Sequence, residues 1–173
     1  MTRAASQTAV PAPAFERRDD IGRLIGVTWH GTGAGADANT AGGRWLVAVD
    51  GSECSLRTLA TALQLVALGP DREVDLVHVQ PWLVKEAAQT ELSRRGWAAT
   101  ARARELLDAA AVRWRLHVVM GEAAPEIASV AAALGSRAIA IGSHGLTATE
   151  SLLLGSVAYK VVHLAKLPVL IVR

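Results

Sequence analysis

Near the end of the chain, Gly142, Gly145 and Gly155 stand in the spacing Gly-x2-Gly-x9-Gly, and Ser156 and Val157 follow directly. Glycine has no Cβ, so Gly142 and Gly145 let backbone N–H groups come close to a ligand. If a helix begins at Gly155, its first N–H groups have no partner inside the helix. Free donors at a helix N-terminus favour an anion, phosphate above all. Each exposed contact of this kind contributes only ~0.3–1 kcal/mol, so useful affinity needs several donors and a second anchor on the ligand. Ser156 adds a hydroxyl. His144 lies inside the pattern, where ligand contact and a solvated loop histidine are equally good readings.

The second anchor is Asp50, which ends the apolar run Trp45–Val49 and precedes Gly51-Ser52. Its carboxylate would accept a hydrogen bond from a ribose hydroxyl or an exocyclic amine. The competing reading is an Asx-turn that caps the next element. No general base stands beside the phosphate pattern, so no catalytic residue is assigned. A single cysteine, Cys54, excludes an internal disulfide and a multi-thiolate zinc site. His117 and His163 have no partners at metal-ligand spacing, and His78, in an apolar run, reads as a satisfied core histidine.

These groups need a scaffold, and the pattern supplies one. Trp45–Val49, Val74–Val79, Leu116–Met120, Ala138–Ile141 and Pro168–Val172 read as buried strands. Helical patterns lie between them: from Ser52 to a stop at Gly69-Pro70, from Lys85 to Val112 with Gly96 as a bend, from Pro125 to Leu134, and from Ser156 to Leu164. Alternating strands and helices predict a doubly wound, five-stranded parallel sheet with helices on both faces. Ligands of such sheets bind beyond the carboxyl ends of the strands, where strand order reverses.

Composition narrows the function classes. The chain has 173 residues, enough for one domain, with 51% hydrophobic and 20% charged residues. Eighteen basic and sixteen acidic residues are interspersed, so no basic stripe points to nucleic acid. Neither a membrane-spanning run nor a signal peptide is expected, and the expected location is the cytoplasm. Seven of the fifteen glycines lie in residues 1–43, whose composition predicts a largely flexible extension. That extension carries one short apolar patch, Ile21 to Trp29. Trp45, Trp82, Trp97 and Trp114 read as core or interface anchors.

VAVDGSECSLRTLATAL (Val47–Leu63), LVHV (Leu76–Val79) and IGSHGLTATESLLLGSVAYKVVHLAKLPVLIVR (Ile141–Arg173) together resemble the universal stress protein family. The resemblance covers 44–173 and leaves 1–43 outside. It implies a Rossmann-like sheet of strand order 3-2-1-4-5. It also implies binding of ATP, or of ADP or AMP, with or without Mg²⁺. Carried over, Ala48, Val49, Asp50 and Val79 would meet the adenine and ribose, while Gly142, His144, Gly145, Gly155, Ser156 and Val157 would surround ribose and phosphates. A homodimer through Pro168–Val172 and a role in stress response are further implications; the resemblance names no protein partner. The loop Leu146–Leu154 departs from many relatives: it has no Lys or Arg and carries Glu150, which leaves ATP against AMP open. The alternatives are a slow Mg²⁺-dependent ATPase or phosphotransfer enzyme, and an interaction module that binds no nucleotide.

Overall fold

A computed structural model of the chain describes residues 9–31, 43–66, 73–145 and 154–173. The strands are β1 (Phe15–Arg18), β2 (Leu24–His30), β3 (Trp45–Ala48), β4 (Glu73–Gln80), β5 (Arg113–Met120), β6 (Ala138–Gly142) and β7 (Val169–Val172). The helices are α1 (Glu53–Val66), α2 (Lys85–Ala99), α3 (Ala101–Ala109), α4 (Ala123–Ala133) and α5 (Ser156–Leu164). They build a single sheet in the order β1-β2-β5-β4-β3-β6-β7. Its last five members, β5-β4-β3-β6-β7, are parallel and carry the expected 3-2-1-4-5 order.

The expected strand count was five, and the sheet has seven. The two additional strands come from the segment read as a tail: β2 pairs antiparallel with β5, and β1 pairs antiparallel with β2. The physical reason is burial. Leu24, Val27 and Trp29 are at most 3% exposed and belong to the same core as Leu76, Leu116 and Val118. Trp29 also packs at a tilt on Trp97, ring centroids 5.2 Å apart, and its indole N–H donates to the Pro11 carbonyl. The ends of the extension, 1–8 and 32–42, lie outside the described residues, as does the Gly69-Pro70 stop.

Side chains alternate across the sheet. Val47, Val49, Val74, Leu76, Leu116 and Val118 pack against α1, α2 and α3. Leu46, Ala48, Val77, Ile139 and Ile141 pack against α4 and α5. The long helical pattern from Lys85 breaks at Thr100, not at Gly96. The Thr100 hydroxyl donates to the Gly96 carbonyl at 2.8 Å, side-chain competition of the kind that interrupts a helix. Gly96 instead permits close packing, since a Cβ there would lie 2.5 Å from Val118 Cγ1. Pro125 is the third residue of α4 and not the first; its missing N–H still falls in the unpaired first turn.

Candidate functional site

The chain leaves β3 for α1 on one face and β6 for α5 on the other, so a crevice opens between the carboxyl ends of these adjacent strands. A pocket of 230 Å³ occupies that crevice. All ten residues expected from the sequence line it: Ala48, Val49 and Asp50 at the end of β3, Val79 on β4, and Gly142, His144 and Gly145 at the end of β6. Gly155, Ser156 and Val157 complete the set at the start of α5.

One side of the pocket is apolar. Ala48, Val77, Val79 and Ile141 form it with Ala123 and Ile127 of α4. The first turn of α5 also lines the pocket. Gly155 is its N-cap and offers no side-chain acceptor, so the first-turn donors have no side-chain cap.

The glycines also serve the packing of the site. Their missing Cβ positions are occupied by protein. A Cβ on Gly155 would lie 2.8 Å from the Ser143 carbonyl oxygen, and one on Gly145 would lie 2.9 Å from Asp50 Oδ2. A Cβ on Gly142 would lie 2.8 Å from Cys54 Sγ. The three glycines let β6, its loop, α1 and α5 close on one another, and the cleft is the result. The Gly155 N–H donates to the Ser143 carbonyl at 2.8 Å and fixes the start of α5 against the strand end.

Asp50 keeps the local role anticipated for it: Oδ1 accepts from the Ser52 N–H at 2.9 Å. Its carboxylate nevertheless lines the pocket, so the turn holds it in place there. Ser52 caps α1 by accepting from the Ser55 N–H at 3.1 Å. His144 Nδ1 lies 2.9 Å from Ser143 Oγ. His78 is buried, with Nδ1 2.8 Å from the Val49 carbonyl, as a satisfied core histidine should be.

Sequence reasoning missed Ser55, Val77, Ala123, Ile127, Ile141, Ser143 and Ala158 as lining residues. Ala123 and Ile127 had no legible signal, because only the docking of α4 brings them to the cleft. The loop containing Glu150 lies outside the described residues. Among the described residues, no three or more His, Cys, Asp or Glu side chains are grouped to hold a metal ion. No helix there is long and apolar enough to cross a membrane.

The model of the Universal stress protein family matches residues 43–173. The chain belongs to the universal stress protein family. Universal stress protein YxiE of Bacillus subtilis (strain 168) is 30% identical over 146 residues, which is 75% of this chain and 98% of the relative. The solved structure of the hypothetical protein MJ0577 superposes with a TM-score of 0.67 at 25% identity, covering 76% of this chain and 95% of that one. The universal stress protein from Archaeoglobus fulgidus, solved in complex with dAMP, gives 0.61 at 22% identity, covering 76% and 98%. The family match begins at residue 43, so β1 and β2 lie outside it.

Proposed function

We propose that this universal stress protein binds an adenine nucleotide, ATP or its di- or monophosphate, and acts as a regulatory factor in stress response in the cytoplasm. One observation carries the reading: an apolar wall at the switch point and the N-terminus of α5, which has no side-chain cap, line a single pocket. That pairing suits a planar base at one end and phosphate at the other. In this reading Ala48, Val77, Val79 and Ile127 hold the base, Asp50 accepts from a ribose hydroxyl, and the backbone of Gly145, Ser156 and Val157 donates to phosphate. Binding of dAMP by the archaeal relative supports the ligand class. Mg²⁺ would arrive on the nucleotide's own phosphates. Among the described residues, the titratable side chains lining the pocket are Asp50 and His144, which favours binding over turnover.

The decisive experiment denatures freshly purified protein and chromatographs the supernatant. ATP, ADP or AMP near one equivalent is expected. An empty supernatant, together with no calorimetric binding of added ATP or AMP at millimolar concentration, overturns the reading.

We also propose a homodimer through β7. Among the described residues this strand pairs only with β6, and Ile171 on it stays 37% exposed, as Val162 and Leu164 of α5 are also exposed. An apolar edge of this kind invites pairing with a second copy. Light scattering is expected to find a dimer for the native chain and a monomer for Ile171→Lys. A native monomer, or a variant that remains dimeric, overturns this proposal.

A further inference from the structure

The N-terminal strands build something besides sheet. On the face that carries α4, the helix packs on β4 and leaves the β2–β5 side of the sheet open. A second pocket, of 310 Å³, lies there between β1, β2, β5 and α4. Six of its thirteen lining residues come from 15–30, ahead of the family match, so the family domain alone does not contain it.

Its polar lining is one-sided. Arg17, His30, Arg115 and His117 line it together with the hydroxyls of Thr28 and Ser129, and among the described residues no carboxylate does. The acids that balance the arginines stand behind or beside the lining. Asp75, 1% exposed, accepts from Arg115 at 2.7 and 2.9 Å, and Glu126 lies 3.7 Å from Arg17. Asp75 also lies 3.5 Å from His117 Nε2, while His117 Nδ1 meets Thr28 Oγ1 at 3.1 Å. These contacts fix the imidazole and the guanidinium from below. Burial lowers the pKa of His30, and the neighbouring Arg115, His117 and Arg44 lower it further against a partial offset from Asp75.

The rest of the wall is apolar. Val119, Val130 and Leu134 line it, and Phe15 stands exposed at the mouth. Each guanidinium already faces one carboxylate, so the pocket suits one further negative charge better than two. We propose that this pocket binds a small organic carboxylate with a compact apolar body, held by Arg17 and Arg115 beside His30, at a site separate from the nucleotide cleft.

Benzoate and inorganic phosphate are the probes, titrated into the full chain and followed by NMR of labelled histidine and methyl groups. Benzoate is expected to shift His30, His117 and Val119 saturably, with the same affinity when ATP is present. Phosphate lacks the apolar body and is expected to bind about tenfold more weakly or less. Arg17→Ala should weaken benzoate about five- to tenfold. Ser129→Trp, placed on the exposed side of α4 to fill the pocket, should abolish the shifts. Melting curves check that both variants stay folded. The proposal is overturned if benzoate on the order of 10 mM moves none of these signals. It is equally overturned if the shifts fall on Val79 and Ile141 of the cleft, or if both folded variants bind like the native chain.

Discussion

Gly155→Val is expected to eliminate nucleotide binding in a protein that still folds. The position is the N-cap of α5, and its backbone is seated on the Ser143 carbonyl by a 2.8 Å hydrogen bond. A Cβ would lie 2.8 Å from that same oxygen, a backbone atom that cannot rotate away. The first turn of α5 therefore has to lift from the end of β6. The donors assigned to phosphate move with it, and two or three charge-assisted hydrogen bonds are lost together. Affinity for ATP should fall by about a hundredfold or more. The rest of α5 remains anchored by Ala158 and Val161, which are buried against α4 and β6, so stability should drop by only about 1–2 kcal/mol. Titration calorimetry with ATP and a thermal melt check both halves. Affinity retained within about threefold in a folded variant rejects the N-terminus of α5 as the phosphate subsite. Gly142→Val is the poorer probe, because its Cβ drives into Cys54 at the start of α1 and disturbs packing before it reaches the ligand.

The parallel half of the fold is legible because its strands are continuous apolar runs and its punctuation is chemical. Trp45 to Val49 ending at Asp50-Gly51-Ser52 announces both a strand buried on two faces and a strand-end site. The same logic brought all ten expected residues to one pocket, since strand ends in a doubly wound sheet converge whatever the exact register. The missing lining residues are of another kind. Ala123 and Ile127 look like any helix-face residues, and only the docking of α4 gives them their position.

The antiparallel half was hidden by its context. Leu24, Val27 and Trp29 form a half-buried strand pattern, but Gly22 and Gly26 interrupt it and a glycine-rich stretch follows. Gly26 sits opposite Val119 in the β2–β5 ladder, a strand glycine rather than a linker glycine. β1 is exposed at all four residues, so no burial pattern exists for a reader to find. Charge inside strands is a further signature on this side of the sheet. Glu73, Asp75, Arg113, Arg115 and His117 all occupy strand positions, and charged residues in a sheet interior require partners.

Removing one of those partners is expected to produce the largest loss of stability. Asp75 is 1% exposed and accepts two hydrogen bonds from Arg115. Asp75→Ala removes the carboxylate that stands opposite Arg115 in the β4–β5 ladder and leaves the guanidinium without its paired counter-charge. A fully buried pair broken in this way costs about 3–5 kcal/mol; Arg115 keeps 24% of its side chain exposed and can regain some hydration, so about 2–4 kcal/mol is expected here. Asp75→Asn keeps the shape and part of the hydrogen bonding and should cost less. The same group sets a pH dependence. Burial alone would raise the Asp75 pKa, but the His117 ring beside it and the hydrogen bonds and charge of Arg115 outweigh it, leaving the value below the ordinary 3.8. A depressed carboxylate stabilises the fold fully above its unfolded pKa, and that contribution is lost as pH falls through the folded one. Native stability should therefore decline below about pH 4, and the decline should be shallower in Asp75→Ala. Denaturant melts at neutral and acid pH measure both. A variant as stable as the native chain at neutral pH, or an unchanged acid slope, would show that Arg115 and His117 do not depend on this carboxylate.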